Sequence, residues 1–197
     1  MRFLIIFLAC VAINQVAFSE SKIDTALQHK ILSMFKEDQK WRIESNNLYQ
    51  GKKSVYSEDA INSNMGKTDS LNLIEAKLIV AKYGFPGYDL VGENGSDGFW
   101  AIVQHCDQDI PFQQKVLILM DKQVKRRNAS NEKYALLQDR VLISEGHKQI
   151  YGTQVRVDLK THLAKPLPIE DSLHVDSRRK AVGLSPLDEY LKIFNNR

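Results

Sequence analysis

Cysteine is scarce in this chain, with only Cys10 and Cys106 among 197 residues. Cys10 falls in an N-terminal apolar run, so the remainder carries Cys106 alone and no internal disulfide can staple it. The spacings that hold metals are missing as well. His29, His105, His147, His162 and His174 lie in separate segments, without a His-x-x-Glu-His or Cys-x-x-Cys among them, so neither a metal nor another cofactor is expected. There is no Gly-x-Ser-x-Gly elbow and no phosphate-cradling Gly-x-x-x-x-Gly-Lys loop. An excess of one charge is lacking too. The net charge of +3 is too small to argue for nucleic acid or an acidic membrane surface. No repeat at solenoid spacing and no sustained heptad run is present.

The N-terminus is the first positive feature. Met1-Arg2 gives a short basic start, Phe3 to Ile13 is a nearly unbroken apolar run, and Ala17-Phe18-Ser19 offers small residues where a signal peptidase reads. Residues 1–19 are therefore read as a signal peptide and 20–197 as one mainly helical domain, exported to the periplasm or the extracellular space. Lipid attachment at Cys10 is the less favoured alternative, because Phe7 stands where an aliphatic residue is expected. No later segment approaches the ~20 apolar residues of a membrane-spanning helix.

Periodicity then divides the chain. Ile23, Leu27, Ile31, Met34, Phe35 and Trp41 recur at helical spacing and predict a first helix over about Lys22–Arg42, with Asp38, Gln39 and Arg42 on its solvated face. Residues 45–67, rich in Asn, Ser, Gly and Lys, read as a long polar loop. Thr68 is expected to cap a second helix that ends at Gly84. A glycine-rich loop follows, with Asn94-Gly95 as a turn and Ser96 or Asp97 capping a short third helix. Asp109 and Pro111 reset the chain into a fourth helix, with Phe112, Val116, Leu119, Met120 and Val124 inward. Ser130 caps a fifth, ended by Gly146. Residues 147–170 read as an irregular arm, β-branched at Thr153, Val155 and Val157, with a possible hairpin around Lys160–Leu163. Helices through Arg178-Arg179 and from Ser185-Pro186 close the chain. The fold class is mainly α: a compact bundle of five to seven helices with a small irregular or β-hairpin arm near residues 150–168.

The chemistry concentrates around Gln104 and His105. At helical spacing His105 and Asp109 could face each other, and Asp107 would point away. A histidine at the edge of an apolar stripe beside carboxylates reads equally as a general base or as a hydrogen-bonded core histidine. Cys106 falls on the stripe of Phe99, Ile102 and Val103 and reads as a small buried hydrophobe. Candidate catalytic residues are His105, Asp107 and Asp109; candidate binding residues are Arg42, Gln104, Arg140, Tyr151 and Gln154. The arm is expected to fold against the first helix and the helix of His105, bringing Tyr151 or Gln154 near His105 and an arginine. It is too polar to lie unpaired in a core, and too rich in β-branched and aromatic residues to be a free linker.

The order Asp38-Gln39-x-x-Arg42, Gly84-Phe85-Pro86, Gln104-His105-x-Asp107, Asp139-Arg140, Tyr151-Gly152-Thr153-Gln154 and Asp176-x-Arg178-Arg179 resembles a bacterial family known only as a domain of unknown function. The resemblance spans nearly all of the chain beyond the signal. Phe85 stands where the family more often has Trp, and Asp109-Ile110-Pro111 where it has Asp-Pro; both leave the polar residues in place. The resemblance implies a shared site among Arg42, Gln104, His105, Arg140, Tyr151 and Gln154, and no activity. Two functions stay open. One is a binding or interaction module that recognises a small anion, a peptide or another envelope protein. The other is a hydrolytic enzyme with His105 as general base, a nearby carboxylate assisting it, and Arg42 or Arg140 holding an anionic group.

Overall fold

The chain folds around two parallel helices held close by glycine. The computed structural model describes residues 23–158, 161 and 163–195; the signal-like segment with Cys10, and part of the expected hairpin turn, lie outside them. Among the described residues there are seven α-helices and one two-stranded hairpin. None of those helices is long and apolar enough to cross a membrane.

Helix α1 (Thr25–Tyr49) starts at Asp24, whose carboxylate accepts from the Leu27 N–H at 2.9 Å. It runs about two turns beyond the expected end. Trp41 is buried and meets Tyr56 edge-on with ring centroids 5.1 Å apart, and the Ser54 hydroxyl bonds Glu44 at 2.5 Å. These contacts hold the connection after α1 against the helix itself.

Helix α2 (Glu58–Tyr83) begins ten residues before Thr68, which corrects the reading of 45–67 as a loop. Ser57 caps it through the Ala60 N–H, Glu58 and Asp59 suit the positive end of the helix, and Ile61 is buried there. Asn64, one of the residues that suggested a loop, turns its polarity onto its own helix, donating to the Ala60 carbonyl at 2.7 Å, as Ser70 does to that of Gly66 at 2.9 Å. Tertiary burial overrides their weak helix propensity. Gly84 ends α2 as expected, at φ 73°.

Helix α3 (Tyr88–Gln104) occupies most of the stretch read as a glycine-rich loop. Its N-cap is Gly87 rather than Ser96 or Asp97, and its first N–H groups are taken by the backbone and side chain of Asn128. Asn128 accepts from the Tyr88 N–H through its carbonyl at 3.0 Å and from the Asp89 N–H through its side chain at 2.8 Å. A Cβ on Gly87 would fall 2.2 Å from Asn128 Nδ2, so only glycine lets that approach happen. The helix breaks its geometry once, at Gly92 (φ 68°, ψ 171°). The carbonyls just before the break are taken by α1's leading end: Leu90 O by the Asp24 N–H and Val91 O by Gln28 Nε2, both at 2.8 Å.

From there α1 and α3 run side by side in the same direction. Gln28 sits on Val91 and Gly95, Ile31 and Phe35 on Gly98, and Asp38 on His105. An added Cβ on Gly98 would meet Phe35 at 3.4 Å, so the absence of a side chain sets how near the helices lie. Ile31, Val91, Phe99, Ile102 and Val103 form the buried seam, with Ala76 and Ile79 from α2.

Helix α4 (Ile110–Lys125) starts where expected, with Asp109 accepting the Phe112 N–H at 3.0 Å, and α5 (Asn131–Ser144) is capped by Ser130. Val116, Met120, Leu137 and Val141 add to the core. In the arm, β1 (Val155–Val157) pairs antiparallel with β2 (Ala164–Pro166), Arg156 opposite Lys165. A single 3₁₀ turn (Ser172–His174) leads into α6 (Val175–Ala181), and α7 (Leu187–Asn195) packs on β2 and α6.

Candidate functional site

On α1, Ile31, Phe35, Asp38 and Arg42 follow one another at intervals of three or four and so share one face. That face turns towards α3, and Asp38 is buried rather than solvated, at 2% exposure. Its carboxylate is surrounded by donors. His105 Nδ1 lies 3.1 Å from both oxygens, Arg42 Nε 3.2 and 3.3 Å from them, and Gln39 Nε2 2.8 Å from Oδ2. Burial pushes the Asp38 carboxyl up, but the hydrogen bond and charge of His105, with the charge of Arg42, outweigh it and hold the group below its ordinary range. An ionised carboxylate can only accept, so the proton between the pair belongs to Nδ1. Nε2 of neutral His105 is then the lone-pair nitrogen. It has no partner among the described residues and is not among their buried, unpartnered atoms, so solvent reaches it.

The backbone explains why His105 points there. Helix α3 ends at Gln104 and His105 is its C-cap, its N–H returning to the Ile102 carbonyl at 3.1 Å. Since the helix stops, the four-residue spacing of His105 and Asp109 has no helical meaning. Asp109 instead caps α4 and pairs with Lys77 at 2.5 Å, and that lysine with the Phe112 N–H holds its carboxyl below the usual range.

Two further carboxylates flank the imidazole. Asp69 on α2 takes Arg42's second nitrogen at 2.5 Å, and Gln108 reaches the Asp69 carbonyl at 3.4 Å. Burial raises the Asp69 carboxyl despite Arg42, yet so close a guanidinium contact is that of an ionised group. Asp107 is gripped by Arg140 through Nε at 2.8 Å and its terminal nitrogen at 2.6 Å. It also accepts from Gln113 Nε2 at 3.2 Å. Its burial is offset by Arg140, so this carboxyl sits low. Gln113 is wholly buried and also reaches the Val103 and Gln104 carbonyls, at 3.1 and 3.3 Å, tying off the end of α3. Cys106 is buried as expected, and burial together with the surrounding aspartates pushes its thiol up to about 12.

Of the residues singled out from sequence, the structure joins Arg42 and His105 through Asp38, and beside them pairs Asp107 with Arg140, where the Gln104 backbone carbonyl also accepts from Gln113. Tyr151 and Gln154 belong to a separate network. Among the described residues neither hydrogen-bonds to His105 or Arg42, contrary to the expected docking of the arm. Their anchor is Asp139 on α5, fully buried. It accepts the N–H of Ile150 at 2.7 Å, of Tyr151 at 3.0 and 3.1 Å, and of Thr153 at 3.0 Å, along with the Thr153 hydroxyl at 3.0 Å. Gln149 bridges the Gln154 backbone and the Leu167 carbonyl, while Arg179 donates to the carbonyls of Tyr151 (2.7 Å) and Ser185 (2.6 Å) under the Tyr190 ring. The arm's polarity is satisfied inside this knot.

Comparison with curated proteins and with solved structures gives no match. Residues 25–197, from the first residue of α1 to the end, match a family of unknown function, DUF6624, and the chain belongs to that family.

Proposed function

We propose that the protein is a hydrolytic enzyme in which His105 is the general base and Asp38 the residue that positions it. One observation carries this reading: a buried carboxylate fixes the Nδ1–H tautomer and leaves Nε2 open to solvent. That pairing is the base-and-orienter half of many hydrolytic sites. Among the described residues no Ser, Thr or Cys side chain hydrogen-bonds to His105, so water is the nucleophile. Nε2 takes a proton from water as its oxygen bonds to an ester or amide carbonyl carbon. The imidazolium, held by Asp38, then returns that proton to the leaving oxygen or nitrogen as the carbon–heteroatom bond breaks. Arg42 positions Asp38, and Asp107 acts on His105 through its charge, while Asp109 is taken up by Lys77 and the cap of α4.

The test is turnover of a panel of chromogenic esters and amides by the wild type, His105→Ala and Asp38→Asn. A positioned general base contributes about 10²–10⁴-fold, so each variant is expected to lose at least about 100-fold. His105→Ala leaves Asp38 with Arg42 and Gln39, so its melting temperature should move little. If the wild type and His105→Ala are indistinguishable and only stability falls, by about 1–3 kcal/mol, the histidine is a structural lock and the proposal is wrong. Export belongs to the same proposal, supported by the N-terminal pattern. Native protein is expected to begin near Glu20, and an intact mass that retains Met1 would overturn it.

A further inference from the structure

We propose that the outward face of α2 docks the protein on an anionic lipid surface, whether or not the hydrolytic reading holds. Five residues of that helix, Lys67, Leu71, Ile74, Leu78 and Lys82, follow one another at intervals of three or four and so form one row. Its three apolar members are 64%, 58% and 59% exposed, turned away from the buried Asn72, Ala76 and Ile79. From Leu71 to Leu78 the row runs about 10 Å along the helix. At the Leu78 end a cleft of about 310 Å³ opens between α1 and α2. Leu27, Ile79 and Tyr83 line it together with Lys30 and Lys82, and Asp24 there accepts from the Leu27 N–H.

The charges decide what the row fits. Lys67 and Lys82 close it one turn beyond each end, and among the described residues neither forms an ion pair with a carboxylate. Lys82 lies instead over the Tyr83 ring, 4.7 Å from its centroid. The acids that reach this side are answered by other lysines, Glu75 by Lys30 and Asp109 by Lys77, each at 2.5 Å. The face therefore carries an excess of positive charge, which the chain-wide value of +3 averages away. An aliphatic row with a lysine at each end has the composition of a helix lying on a bilayer. Its lysines reach headgroup phosphates while its leucines and isoleucine enter the acyl boundary. A face built for a protein partner would be richer in Trp, Tyr and Arg and poorer in Lys.

The experiment measures co-sedimentation with vesicles of phosphatidylglycerol and phosphatidylcholine, and with phosphatidylcholine alone. A lysine near an anionic surface contributes about fivefold, so the wild type should prefer the anionic vesicles by at least about tenfold. Lys67→Gln combined with Lys82→Gln should weaken binding to them about 25-fold. Salt at ~1 M should remove the same preference from the wild type. Ile74→Asp combined with Leu78→Asp should weaken binding at least about tenfold. All four positions are exposed, so the melting temperature should not move. A polarity-sensitive fluorophore on Ser70→Cys, one turn from Ile74, reports on this face alone when carried in a Cys10→Ser chain. Its emission should shift to the blue on anionic vesicles. Failure of the wild type to bind, equal binding by the substituted chains, or an unshifted emission would overturn the inference. So would a dimer in lipid-free solution that Ile74→Asp dissolves, which would assign the row to a second copy of the chain.

Discussion

Replacing Asp139 tests a side chain that accepts from four donors. Asp139→Ala removes the acceptor of four donors at once: the N–H groups of Ile150, Tyr151 and Thr153, and the Thr153 hydroxyl. Thr153 is buried and Ile150 and Tyr151 are half-buried, so water replaces the lost acceptor only partly. An orphaned donor costs about 1–3 kcal/mol, and partial access puts each of these near the low end, for a total of about 3–5 kcal/mol. That is a large share of a typical stability of roughly 5–15 kcal/mol. Asp139→Asn keeps Oδ1 for Ile150 and Tyr151 but turns an amide NH₂ towards Thr153, so about half the loss is expected. Urea denaturation gives the two values, and hydrogen exchange gives their location. Amides of residues 149–157 should lose protection while those of α1 and α3 keep theirs. An Asp139→Ala loss below about 1 kcal/mol, or an equal loss of protection throughout the chain, would refute this account.

Two further outcomes follow from the site. Burial keeps the Cys106 thiol protonated, near a pKa of about 12, so a thiol reagent at pH 8 should label the native protein far more slowly than the urea-unfolded chain; fast native labelling would show the α3 seam to be open. Asp38 and Asp107 are both held low in the folded state, so their stabilisation is complete above the unfolded carboxylate value near 4 and is lost as pH falls through their folded values. The raised carboxyl of Asp69 works in the opposite direction and softens that loss. The melting temperature should hold between pH 5 and 8 and fall below about pH 4, with a shallower fall in Asp38→Asn. An unchanged slope in that variant would contradict the assignment.

Helix positions with local caps were legible in the sequence. Asp109 before Ile110-Pro111, Ser130 before α5 and Gly84 after α2 carry their signals within a few residues. Those that failed depend on distant partners. The first N–H groups of α3 are taken by Asn128, and α2 extends through Asn62, Ser63 and Asn64 because Ile61 is buried and α1 lies alongside. The candidate site divides the same way. His105, Asp107, Arg42 and Arg140 stand out by type and neighbourhood, but the carboxylate that orients His105 comes from 67 residues upstream. One signal for it was present: Asp38 falls on the stripe of Ile31 and Phe35, and a carboxylate there must be paired. Asp139 and Arg179 likewise lie on buried faces, and what they bind is backbone, which no side-chain pattern announces.

The two polar networks differ in how much chain must be ordered before each exists. The bonds to Asp139 join positions 11 to 14 apart, a loop that can close soon after α5 forms. The Asp38–His105 bond closes a loop containing all of α2 and requires α1 and α3 already aligned through Gly95 and Gly98. Closure entropy rises with loop length, and contacts distant in sequence tend to form late. During refolding the arm's knot is therefore the early structure and the dyad the late one. A chain still searching for its native packing can hold a nearly complete C-terminal half while His105 has no carboxylate to orient it. The Asp38–His105 pair arrives with the final docking step of α1 against α3.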